Sequence, residues 1–113
     1  MKHILFICSR NKLRSPTAEV VFAGCAEVAC ASAGLNHDAD VPLTPELVLW
    51  ADVIFVMETA HRQKLQQRFR PYLQGKRVIC LNIPDKYGYM DAALVSLLQR
   101  KVVSFLPEMA ALV

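Results

Sequence analysis

Ile4-Leu5-Phe6-Ile7-Cys8-Ser9-Arg10-Asn11-Lys12-Leu13-Arg14-Ser15-Pro16-Thr17-Ala18-Glu19 decides how the chain folds and where its chemistry sits. Four consecutive apolar residues read as a buried strand, and Pro16 suits the first turn of a helix, where its missing N–H costs nothing. Between them lie a cysteine, five further residues, an arginine and a serine. A five-residue turn of this kind curls so that backbone N–H groups point inward, and the following helix adds the positive end of its dipole. That environment suits a phosphate dianion, and it favours the ionised thiol, which is the reactive form. Arg14 supplies a planar fork able to hold two phosphoryl oxygens, a geometry that lysine lacks. The chemistry expected is phosphoryl transfer through a phosphocysteine. A surface loop with an incidental thiol is the plainer alternative, but strand, thiol, polar loop, arginine and helix start stand in the order the chemistry requires.

Outward from this stretch, hydrophobic periodicity predicts strands over 3–7, 28–33, 52–57 and 77–82. Helices are expected over 15–27, 44–50, 59–70 and 91–106, with a final turn after Pro107. Nearly continuous apolar strands that alternate with helices indicate a parallel sheet covered on both faces. Right-handed crossovers then favour a doubly wound, flavodoxin-like three-layer α/β fold with four strands in the order 2-1-3-4. Ligands of such sheets bind beyond the carboxyl ends of the strands, where the strand order reverses. Three segments converge there: the Cys8 loop, Met57-Glu58, and Asn82 to Tyr89.

The 113 residues form one domain, 1–113, with room for a core. No apolar run approaches the roughly 18 residues of a membrane span, and the chain enters a strand without the plan of a signal peptide, so a soluble, cytoplasmic protein is expected. Of the four cysteines, Cys25, Cys30 and Cys80 fall in apolar stretches and read as core filling rather than a disulfide framework. His3, His37 and His61 show no metal-ligand spacing, and no metal or other cofactor is implied. The net charge of +3 is modest, and Arg10, Lys12 and Arg14 carry much of the excess. Local charge facing an anionic substrate explains this better than a nucleic-acid surface, which needs a broader basic face with aromatic platforms. The Arg62, Lys64, Arg68 and Arg70 run reads as the solvated face of a helix.

Cys8, Asn11, Arg14-Ser15-Pro16 and Ala18-Glu19, then Ser32-Ala33-Gly34, then Ala51 to Glu58, and last Asp85-Lys86-Tyr87-Gly88 resemble the low-molecular-weight protein tyrosine phosphatase family in composition and order. The first block is specific, and the others gain weight from their order. The resemblance implies that Ser15 donates to the Cys8 thiolate, that Asn11 braces the loop with a left-handed backbone, and that Tyr87, with Tyr89 beside it, forms an aromatic wall. Ser9, Arg10, Asn11, Lys12, Leu13 and Ser15 then join Tyr87 as substrate-binding residues. The chain departs from the family where a loop glycine is replaced by Arg10, where a second cysteine is replaced by Leu13, and where the acid is followed by Lys86 rather than proline. The segment 35–43 is also shorter and has no aromatic residue.

An aryl leaving group needs a proton donor, and Asp85, on the loop after the fourth strand, is the candidate. Asp91 falls where a helix N-cap belongs, and Asp52 falls on the opposite rim. Trp50 is expected in the core. The reading is a hydrolase of aryl phosphomonoesters, phosphotyrosine in a protein or a small aryl phosphate, with Cys8, Arg14 and Asp85 as its catalytic residues. Nucleic acid and membrane are not expected partners, and the oligomeric state stays open. One alternative is a thiol-coupled arsenate reductase, which needs further cysteines able to relay a disulfide to Cys8. A non-enzymatic phosphate-binding module is the other, and it needs neither Cys8 nor Asp85.

Overall fold

The computed structural model describes residues 1–112; Val113, the last residue of the expected domain, lies outside the described residues. Four parallel strands, β1 (Lys2–Cys8), β2 (Val28–Gly34), β3 (Val53–Val56) and β4 (Arg77–Cys80), form one sheet in the order β2-β1-β3-β4. The helices are α1 (Arg14–Phe22), α2 (Pro45–Trp50), α3 (Thr59–Phe69) and α4 (Ala92–Phe105), with 3₁₀ turns at Arg70–Tyr72 and Pro107–Leu112. This is the expected fold and strand order. None of the described helices is long and apolar enough to cross a membrane.

Side chains alternate across the sheet, so each strand feeds two cores. Ile4, Phe6, Phe55 and Ile79 pack with Phe22 of α1 and Leu94, Leu98 and Val102 of α4 on one face. Leu5, Ile7, Ile54 and Val56 pack with Val48 of α2 and Leu65 and Phe69 of α3 on the other. Phe6 lies between Phe22 and Phe55, with ring centroids 5.8 and 5.5 Å away. The β1–β2 connection through α1 and the β2–β3 connection through α2 cover opposite faces. The strand order therefore reverses between β1 and β3, and the carboxyl end of β1 opens into the crevice there.

Three expectations need correction. Helix α1 ends at Phe22 instead of continuing to residue 27, because Ala23 and Cys25 make i→i−3 bonds to Val20 and Phe22, which turn Cys25 into the core. Glu27 then takes a left-handed conformation (φ 65°) and its carbonyl accepts from the Lys2 N–H, starting β2. Strand β4 ends at Cys80 and not at 82, since Asn82 is left-handed (φ 55°); the Leu81 and Ile83 N–H groups still reach the Val56 and Met57 carbonyls. Trp50 is only half-buried: it packs against the edge of the α2–α3 core at the far rim, stacked on His3 at 4.5 Å. Asp52 accepts from the His3 N–H on that same rim, and Asp91 caps α4 through Ala93 N–H, the two places assigned to these carboxylates.

Candidate active site

Cys8 ends β1, and Ser9 to Leu13 wrap around the carboxyl end of that strand before α1 starts at Arg14. The outside of the turn is fixed by its carbonyls. Cys8, Ser9 and Arg10 accept from the N–H groups of Leu35, Asn36 and Asp40. The N–H groups of Ser9 to Leu13 donate to no acceptor among the described residues, which leaves them for an anion inside the turn. Asn11 is left-handed (φ 57°), a conformation that asparagine tolerates better than most residues. Gly34 lets β2 approach: a Cβ there would sit 2.6 Å from the Ser9 carbonyl oxygen and 2.9 Å from the Asn11 N. Both are backbone atoms that cannot give way cheaply. Gly34→Ala should therefore displace the turn and lower phosphate affinity at least about tenfold, to be read by calorimetric titration; unchanged affinity would show that this contact does not set the turn.

Behind the turn runs a buried polar chain. Asn11 Nδ2 donates to Ser15 Oγ (3.0 Å) and to Ser32 Oγ (2.9 Å), and Ser32 Oγ donates to Glu19 Oε1 (2.5 Å). With its oxygen already accepting, Ser15 is set to donate its hydroxyl proton to Cys8 Sγ, 2.9 Å away. This arrangement stabilises negative charge on sulfur. It also gives Glu19, Ser32 and Gly34 a shared physical task, the bracing of the turn.

Arg14 is 3 % exposed, a burial a guanidinium tolerates only when paired. Its Nη1 donates to Glu58 Oε2 and to the Ile83 carbonyl, both at 2.6 Å. One nitrogen thus anchors the group, and the Nε–Nη2 edge remains for a ligand. Asp85 Oδ1 lies 3.8 Å from Nε, its side chain 63 % exposed. Cys8, Ser9, Arg10, Lys12, Leu13, Arg14 and Asp85 line a single cavity of about 520 Å³.

Of the residues singled out in the sequence, Asn11 and Ser15 stand behind that lining, and Tyr87 is not part of it. Tyr87 is half-buried against the α1–α4 core, with Lys86 Nζ 5.6 Å from its ring centroid, and Tyr89 is exposed. Tyr87 thus packs toward the core in this structure and does not line the cavity. The sequence places Glu58 at this rim without its role as the partner of Arg14, and it assigns no role to His61, Thr17 or Lys101. Thr17 Oγ1 donates to the Leu13 carbonyl and accepts from Met90 N–H, tying the two loops together. Lys101 Nζ donates to the Leu81 carbonyl and steadies the start of the Asp85 loop. The spacing of Glu58 and His61 at the start of α3 was the available signal, since a residue at the N-cap and one three positions on commonly exchange bonds.

His61 Nδ1 accepts from the Glu58 N–H (3.2 Å), so Nε2 carries the proton and donates to Ser9 Oγ (3.0 Å). Burial, reinforced by the Arg14 charge, lowers the His61 pKa from its ordinary 6.5. The Arg14 hydrogen bond holds Glu58 below its ordinary 4.5. A group whose pKa is depressed in the fold contributes stability that is present above its unfolded value and lost as pH falls through the folded one. Stability should therefore start to fall below about pH 6.5 through His61, and further below about 4.5 through the half-exposed Glu58. Urea midpoints of wild type and His61→Asn should converge as pH drops from 7 to 5; a constant gap would contradict this assignment.

No protein-family model and no curated protein matches the chain. Solved structures do. Vibrio vulnificus Wzb in complex with benzylphosphonate shares 26% identity at a TM-score of 0.76, covering 95% of this chain and 98% of that one. The YwlE arginine phosphatase, as a cysteine-to-serine mutant with a phosphorylated active-site serine, shares 26% at 0.69, covering 98% and 99%. A low-molecular-weight protein tyrosine phosphatase from Streptococcus pyogenes shares 16% at 0.76, covering 95% and 92%. Sheet order, a thiol at the carboxyl end of the central strand and an anion-binding turn closed by arginine define a flavodoxin-like α/β protein of the thiol-phosphatase class. Within that class the chain is similar in fold to low-molecular-weight protein tyrosine phosphatases such as those just named.

Proposed function

We propose that this chain hydrolyses aryl phosphomonoesters, phosphotyrosine among them, through a phosphocysteine. The observation that carries the reading is the shared cavity of Cys8, the Arg14 edge and Asp85. Cys8 Sγ attacks phosphorus in line with the leaving oxygen. The inward N–H groups and the Nε–Nη2 edge of Arg14 take up charge on the equatorial oxygens. Asp85 protonates the departing aryl oxide and then deprotonates the water that releases phosphate and regenerates the thiolate. Ser15, held by Asn11, stabilises that thiolate as a leaving group.

Comparison supports this reading, since one structural relative carries a benzylphosphonate and another a phosphoserine where its cysteine was replaced. The arsenate-reductase alternative finds no support in the other thiols. Cys30 lies at the amino-terminal half of β2, beside Ile4, and burial followed by the charge of Cys25 pushes its pKa up to about 12. Cys25 is likewise raised by burial, and Cys80 donates to Asn82 Oδ1. Cytoplasmic residence belongs to the same proposal.

Asp85→Asn should lower kcat by roughly two to four orders of magnitude for a phenyl leaving group of high pKa, and much less for a nitrophenyl group that departs unprotonated. Equal losses for both leaving groups, measured at saturating substrate, would take the proton-donor role away from Asp85.

A further inference from the structure

Three cations, Arg10, Lys12 and Arg14, line the cavity against one carboxylate, Asp85. Arg14 is buried, while Arg10 and Lys12, on the loop before it, are exposed. The Arg10 guanidinium has no acceptor among the described residues; only its backbone carbonyl is engaged, by Asp40 N–H at 3.1 Å. Lys12 Nζ pairs with Asp40 Oδ1 at 2.7 Å, both side chains about half exposed. Leu13 is the one apolar side chain besides the Cys8 thiol, and no aromatic ring contributes to the lining. Beyond its phosphate, a bound ester therefore meets two cations, the Asp85 carboxylate and a leucine in place of the plates that would select an aryl group by stacking.

The geometry points to a phosphomonoester that carries a second negative charge beside its phosphate as the preferred substrate class, with Arg10 and Lys12 as specificity-determining residues. This rests on the phosphatase reading above. A second anion engages the Arg10 guanidinium and competes with Asp40 for Lys12. An ester flanked by cations is repelled by the same pair. Asp40 therefore restrains the selectivity, and the two neighbouring side chains make opposite predictions. The second anion has two sources, an acidic residue flanking phosphotyrosine or an anionic substituent on a small aryl phosphate.

The test measures binding and turnover separately. Phosphotyrosyl peptides with glutamate, alanine or lysine flanks are titrated into Cys8→Ala, and kcat/KM is measured with wild type. Nitrophenyl phosphate with and without a ring carboxylate forms the small-molecule arm. The acidic peptide or the carboxylated ester should be favoured about fivefold over its neutral counterpart, the scale of a partly exposed charge pair, and the advantage should shrink at high salt. Arg10→Gln should reduce the ratio and Asp40→Asn should enlarge it. A gain confined to the peptides identifies flanking residues as the source, and a gain in the small esters identifies a local anion. Equal affinity for all charges, or Arg10→Gln and Asp40→Asn moving the ratio in the same direction, would overturn the inference while hydrolysis of the neutral ester leaves the phosphatase reading standing. An acidic preference in binding with no turnover of any ester would instead remove the catalytic reading and keep the selectivity.

Discussion

Cys8→Ser should bring hydrolysis of aryl phosphates to background, a loss on the order of 10⁶-fold, the scale on which a covalent catalyst loses its nucleophile. Two steps fail. A serine hydroxyl is a far weaker nucleophile than a thiolate, and the Ser15 hydroxyl, directed at position 8 by Asn11, donates to the nucleophile without removing its proton. Any phosphoserine that forms has an alkoxide as its leaving group in the second step, which is much harder to expel than a thiolate. The structural relative with a phosphorylated serine in place of its cysteine fits that dead end. The turn and Arg14 are untouched by the change, so phosphate should still bind. Phosphate release at saturating substrate, beside calorimetry with inorganic phosphate, checks both halves; steady turnover by the folded variant would reject the assigned nucleophile.

Arg14→Lys should cost at least about 10²–10³-fold in kcat, the loss expected when a preorganised donor to the transition state is removed. A lysine ammonium placed in the same buried position would satisfy Glu58 and the Ile83 carbonyl, the anchors now held by Nη1. It has no second edge with which to span two phosphoryl oxygens. The loss should therefore fall mainly on kcat, because the bidentate contacts tighten as the equatorial oxygens gain charge. A variant with kcat unchanged and KM raised would mean that Arg14 only binds substrate. Glu58→Gln gives the graded case: it keeps a hydrogen-bond acceptor for Nη1 but removes the compensating charge from a guanidinium that is 3 % exposed.

Strand order and the position of the loop were legible because they depend on local patterns that no distant residue overrides. Ile4 to Ile7 followed by a polar turn and Pro16 has one good solution, and the crossover rules do the rest. The left-handed backbone at Asn11 (φ 57°) was expected from the family resemblance and not from the local pattern. Element ends were less legible. Phe22 ends α1 because Cys25 is needed in the core and β2 must start at Val28, and both demands come from tertiary structure. The pairing of Glu58 with Arg14 and the role of Lys101 were not legible because their bonds join segments 44 and 20 residues apart. Tyr87 was assigned to the cavity on resemblance alone. A tyrosine two residues after Asp85 can point either way, and what the sequence could not reveal is that Met90 docks on Thr17 and draws the loop against α1.

Rapid quench of wild type reacting with an aryl phosphate, followed at once by peptide mass spectrometry, decides whether the reaction runs through Cys8. One phosphoryl group should appear on the peptide containing Cys8, formed at the rate of the aryl burst, and accumulate further in Asp85→Asn with a leaving group that needs no proton. Turnover with no phosphoryl group on Cys8, or with the group on another residue, would contradict that route.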